Sequence, residues 1–169
     1  YQNKKILLAH WDSENKLDNS SRIWHSPFKK IFGKVITFSP KKNYFIYGKK
    51  TMNQKFLELI NREKPDFIFL ALIYDEFDPK IFIEIKKKFP KLKIISHNGD
   101  DSWRFEDFYR FYSLFFDGIF SSSPSSLSFY KKEGIKNITL SLGINSEFYK
   151  PLKLKKKYEV IFIGRPNYD

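Results

Sequence analysis

The stretch Phe67-Ile68-Phe69-Leu70-Ala71-Leu72 decides the fold. It is apolar without interruption. A strand with one wet face alternates apolar and polar residues. An unbroken short run belongs instead to a strand buried on both faces, at the centre of a parallel sheet. The run also stops far short of the roughly 20 apolar residues that a membrane span needs.

Working outward, shorter runs read as further strands: Ile6-Leu7-Leu8-Ala9, Val35-Ile36-Thr37-Phe38, Leu92-Lys93-Ile94-Ile95-Ser96, Gly118-Ile119-Phe120-Ser121 and the weaker Ile138-Thr139-Leu140. Amphipathic helices lie between them. Thr51-Met52-Asn53-Gln54 is a capping box that opens a helix with Phe56, Leu59 and Ile60 on one face. Pro65 stops that helix near Lys64. Asp78-Pro79 joins an N-cap to a proline at the first helical position, ahead of Ile81, Phe82, Ile85 and Phe89. Ser102 can cap a helix bearing Phe105, Phe108, Tyr112 and Phe115, a stripe at core spacing. Ser123-Pro124 starts a last helix that Gly134 ends. A short helix fits between Arg22 and Phe32. This alternation predicts an α/β fold, a Rossmann-like doubly wound parallel sheet with helices on both faces.

Composition narrows the function. The chain has 169 residues and no cysteine, which excludes a disulfide scaffold, a Cys-ligated metal site and a thiol nucleophile. An apolar fraction of 41% is too high for a disordered basic tail. The net charge of +12 is the footprint of a binder of nucleic acid or of an anionic membrane surface. Of the 31 basic residues, however, 26 are Lys and 5 are Arg. Readers of phosphates and bases rely on the bidentate fork of Arg, which disfavours nucleic acid. A chain rich in Lys, Phe, Ile, Tyr and Asn also resembles the product of an AT-rich coding sequence. Residues 1–150 read as one domain and residues 151–157 as a basic linker. Residues 158–169 open with Tyr158-Glu159-Val160-Ile161-Phe162-Ile163-Gly164, which reads as the first strand of a second domain.

In open α/β sheets ligands bind beyond the carboxyl ends of the strands. His10, Trp11 and Asp12 follow the first strand, Tyr74, Asp75 and Glu76 follow the central one, and His97-Asn98-Gly99-Asp100-Asp101 ends the fourth. Two histidines and several carboxylates are thus expected on one sheet edge. Histidine serves as a general base near neutral pH, and a neighbouring carboxylate can orient it or act as the base itself. His97, Asp100 and Asp101 are the catalytic candidates; His10, Trp11, Asp12, Asp75 and Glu76 are candidates for binding an acceptor. Simpler roles stand beside these. Asn98-Gly99-Asp100-Asp101 is a strong turn sequence, and Asp101 or Ser102 can merely cap the next helix. Other chemistries lack their motifs. No G-x-G-x-x-G or Walker A loop is present, the three histidines have no metal-ligand spacing, and the serine run Ser121–Ser126 lacks the G-x-S-x-G elbow.

The segment Leu142-Gly143-Ile144-Asn145-Ser146-Glu147-Phe148-Tyr149-Lys150-Pro151 resembles the G-(V/I)-(D/N)-x-x-x-(F/Y)-x-P linker between the halves of GT-B glycosyltransferases. Val160-Ile161-Phe162-Ile163-Gly164-Arg165 is similar to the first strand and G-R turn of their donor domain. Gly99-Asp100-Asp101, the strand Phe67–Leu72 and Tyr130-Lys131-Lys132-Glu133-Gly134-Ile135-Lys136-Asn137 resemble more narrowly the CgeB-like (spore maturation protein-like) branch and glycosyltransferase family 4-like proteins. The resemblance implies the N-terminal half of a metal-independent, nucleotide-sugar-dependent transferase, inactive without its donor domain. It implies no permanently bound cofactor, a nucleotide sugar as donor and a sugar or glycan as acceptor. It places His97 near the point of transfer, and Gly164 and Arg165 at the donor pyrophosphate. The expected location is cytoplasmic, with a basic face able to sit on an anionic membrane. The competing expectation is a non-catalytic basic domain that binds nucleic acid or an anionic membrane surface.

Overall fold

In the computed structural model, which describes residues 1–10, 21–141, 145–162 and 164, the six apolar runs form one six-stranded sheet. The strands are β1 (Lys5–His10), β2 (Lys34–Phe38), β3 (Phe67–Ala71), β4 (Lys93–Asn98), β5 (Gly118–Ser121) and β6 (Ile138–Leu140). Their order is β2-β1-β3-β4-β5-β6, and every neighbouring pair is parallel. The helices are α1 (Ser26–Ile31), α2 (Pro40–Glu63), α3 (Lys80–Lys88), α4 (Asp101–Arg104), α5 (Arg110–Tyr112) and α6 (Leu127–Lys132). This is the Rossmann-like architecture expected from the alternation of runs and stripes.

Residues two apart on a strand share a face. On one face Leu7, Ala9, Ile68, Leu70 and Ile94 are buried beneath Met52, Phe56 and Ile60 of α2, Ile81, Phe82 and Ile85 of α3, and the aromatic stripe from Phe105 to Tyr112. On the other, Ile6, Leu8 and Phe69 lie under Trp24, Phe28 and Phe32. Trp24 sits in a π-turn, Ser21–His25, that runs directly into α1. The amino edge of the sheet is pinned twice by the same device. The Asp66 carboxylate accepts from the Lys5 N–H at 2.9 Å, and that of Asp117 accepts from the Ile94 N–H at 2.7 Å.

Several helix ends differ from expectation. α2 begins at Pro40 with Ser39 as its cap, whose hydroxyl accepts from the Lys42 N–H at 3.3 Å. The expected start at Thr51 is instead a point just beyond a kink at Gly48, where φ is 74° and ψ is 167°. The stop is as expected: Lys64 adopts the left-handed conformation, φ 48°, before Pro65. The Asp78 carboxylate accepts from the Lys80 N–H at 3.0 Å at the start of α3. Ser102 does not cap, because α4 already starts at Asp101. Ser123 precedes a 3-10 turn, Pro124–Ser126, that leads into α6, and Gly134 closes that element with φ 74°.

The described part of the expected seventh strand, Tyr158–Phe162, is irregular, and Phe162 is 91% exposed. Among the described residues no helix is long and apolar enough to cross a membrane.

Candidate functional site

The strand order creates a switch point. From β1 the chain moves outward to β2, then returns past β1 to β3 and continues in the opposite direction. The connections diverge there and leave a crevice at the carboxyl ends of β1 and β3, the usual ligand position in such sheets. A cleft of about 210 Å³ occupies this place. His10 from β1, Ala71 from β3 and the residues after it, and His97, Gly99 and Asp100 from the end of β4 line it. Trp24 and Tyr109 complete its walls. Larger hollows of about 550 and 500 Å³ lie at the strand starts of β3–β6 and between α2 and α3. Neither has a histidine in its lining. Convergent polar groups rather than size single out the cleft.

The two histidines reach the cleft by strand alternation. His10 lies two residues after Leu8, and His97 two after Ile95, so both share the face covered by α1. His97 packs on the Trp24 ring at 4.7 Å between centroids, and Trp24 packs on Phe69 at 4.8 Å. Gly99 lies against the imidazole: a Cβ there would sit 3.4 Å from His97 Cε1, an ordinary contact. Burial holds the His97 imidazole below its ordinary pKa, against the opposing pull of Asp101 and Asp100. A neutral ring at neutral pH has a lone pair free to accept a proton. Tyr109 is buried and donates from its hydroxyl to the Leu72 carbonyl at 3.3 Å. Burial pushes this hydroxyl up to about 12, so it remains a donor.

The carboxylates divide into different roles. Asp100 lines the cleft. Asp101 points elsewhere and is fully buried. Its Oδ2 accepts from the Tyr130 hydroxyl at 2.9 Å, and Tyr130 in turn accepts from Asn98 Nδ2 at 2.8 Å. Asn98 Oδ1 accepts from the Ser96 hydroxyl at 2.6 Å. Ser96 and Asn98 alternate with His97, so this chain of polar groups lies on the opposite side of β4 and braces the corner from behind. Burial, above all, drives the Tyr130 hydroxyl far up. Asp75 is exposed and paired with Lys49 at 2.8 Å. Glu76 is buried, its Oε1 accepting from the Ile73 N–H at 2.9 Å, and burial raises its pKa. Glu76 thus shapes the loop that presents Ile73 to the cleft. Trp11, Asp12 and Arg165 lie outside the described residues, and Gly164 is in the irregular tail.

Two cleft residues, Trp24 and Tyr109, had no functional sign in the sequence. Helical spacing selects Phe105, Phe108 and Tyr112 as the inward stripe. Tyr109, four residues after Phe105 and three before Tyr112, falls on that same face and is buried, so its spacing reads as core rather than as site. Among the described residues no group of three or more His, Asp or Glu side chains converges to hold a metal ion. Comparison of the chain with protein-family models, with curated proteins and with solved structures finds no match in any of the three.

Proposed function

We propose that this chain is the acceptor-binding domain of a nucleotide-sugar-dependent glycosyltransferase of the GT-B type. The convergence of His10, His97 and Asp100 on one cleft at the switch point carries the reading. The Rossmann-like fold hosts many functions, so the site rather than the fold supports it. Transfer to a hydroxyl forms a bond from the acceptor oxygen to the anomeric carbon. The nucleoside diphosphate leaves with the bonding pair, and the hydroxyl proton goes to a base. A neutral His97 imidazole suits that last task. Asp100 and His10 offer hydrogen bonds to the other hydroxyls of an acceptor, and Trp24 and Tyr109 offer flat apolar walls to its C–H faces. In this reading Arg165 meets the donor pyrophosphate, where a guanidinium stabilises the charge on the leaving group.

The test is transfer or hydrolysis of a nucleotide sugar by the natural protein that contains this chain. Replacing His97→Ala should lower kcat by about 10²–10⁴-fold, the usual contribution of a positioned base. The base must be unprotonated, so the acid limb of the wild-type profile should lie below the ordinary imidazole value. That limb should vanish in the variant. Full activity in His97→Ala would remove the assignment.

A further inference from the structure

The first limb of α2 is an apolar knuckle. Its root is fixed by Ser39 and Pro40, both buried, and its far side by Met52, Asn53 and Phe56, also buried. Between these anchors Tyr44, Phe45, Ile46 and Tyr47 stand exposed in succession, Phe45 at 71% and Ile46 at 58%. Gly48 then breaks the helix. A run of consecutive exposed apolar residues in a folded domain calls for a functional cause.

Charge identifies the occupant. From Asn19 to Leu57 the sequence contains Arg22 and eight lysines but no Asp or Glu. Lys41, Lys42 and Lys50 flank the knuckle, and Lys55 places its ammonium 4.3 Å from the centre of the Tyr47 ring. A second copy would bring the same +12 charge to the contact and be repelled. An anionic bilayer offers the complement of both features. Its headgroups attract the lysines, and its interface accepts aromatic and aliphatic side chains.

The geometry points to peripheral docking of this domain on anionic lipid, with Tyr44–Tyr47 inserted at the headgroup level and the flanking lysines on the phosphates. Ser39 follows the carboxyl end of β2, so the knuckle rises from the sheet edge that also holds the cleft. The Lys49–Asp75 pair ties it to the loop after β3. Docking there would set the cleft beside the membrane. The inference stands whether or not the cleft transfers sugar.

The experiment is co-sedimentation of the full chain with phosphatidylcholine vesicles, with and without phosphatidylglycerol. The chain lacks cysteine, so Phe45→Cys can carry a single environment-sensitive dye. Binding is expected only with phosphatidylglycerol and should weaken as salt rises. The dye should shift to the blue and be quenched from the lipid phase. Combined replacement of Phe45→Ser, Ile46→Ser and Tyr47→Ser should lower partitioning by about tenfold or more, with an unchanged circular dichroism spectrum. Lys42→Glu with Lys50→Glu should weaken binding to the anionic vesicles as well. Vesicle binding with the dye still in water would overturn the proposal. So would binding to duplex DNA without binding to vesicles, or self-association that the triple variant abolishes in the absence of any vesicle binding.

Discussion

Tyr130 shows how much a single hydroxyl can hold. It receives a hydrogen bond from Asn98 and gives one to Asp101, with all three side chains buried. Tyr130→Phe keeps the ring against Phe105 but leaves a buried amide and a buried carboxylate short of a partner. Unsatisfied buried groups cost more than the bond itself contributes. The variant should lose about 1–3 kcal/mol of stability in urea unfolding, more than an exposed Tyr44→Phe would. A near-neutral result would mean that the corner behind His97 is held by packing alone. Glu76 offers a test through pH. Its folded pKa is raised, chiefly by burial, so the folded state binds more protons than the unfolded one between the two pKa values. Stability therefore falls as pH rises through that window, and above it the ionised group is a net burden. Glu76→Gln keeps an acceptor for the Ile73 N–H and removes the titration. The variant should gain on the wild type at neutral pH, and that gain should vanish once pH drops below the ordinary carboxyl range. Melting curves at both pH values would check it, and a pH-independent difference would rule out the titration.

At the scale of elements, strand positions were legible because a parallel strand buried on both faces needs nothing but a short apolar run. Phe67–Ala71 is the clearest case, and even β6, with three residues, falls where Ile138-Thr139-Leu140 predicts it. Helix starts were less legible, because several residues in one region have capping chemistry. Ser39 caps the first limb of α2, and the second limb resumes after Gly48, close to the start that Thr51 predicts. Gly48 was the unread sign of the break between them. Its φ of 74° with ψ of 167° lies in a region that L side chains hardly enter. A Cβ at Gly48 would meet nothing within 4 Å, so any cost of adding one is purely that of the backbone. Gly48→Ala should therefore destabilise by about 1–3 kcal/mol in urea unfolding, or straighten α2 and withdraw the knuckle. No loss of stability together with unchanged vesicle binding would show that the kink is not imposed by the glycine.

At the scale of the whole molecule, the site was only half legible, for a topological reason. Strand ends are local, so His10, His97 and Asp100 could be placed on one edge from the sequence alone. Which carboxylate faces the cleft depends on the side of β4 from which the chain leaves, and Asp101 turns into the core where Asp100 does not. Trp24 comes from the turn before α1, on the same face of the sheet as the two histidines, and no local pattern announces that it reaches the cleft. The same topology sets a stability gradient. β1, β3 and β4 each have a strand on both sides, and Leu7, Leu8, Ile68, Leu70 and Ile94 are all fully buried. β6 has a single neighbour, and Leu140 is 39% exposed. Amides in the central strands should exchange with solvent only through global unfolding, whereas those of β6 should exchange through local opening. Hydrogen exchange followed by NMR should thus find Ile138–Leu140 faster than Ile68–Leu70 by at least about a hundredfold. Equal protection in the two strands would mean that β6 opens only with the core. The sheet edge would then belong to the same cooperative unit that positions His10 and His97.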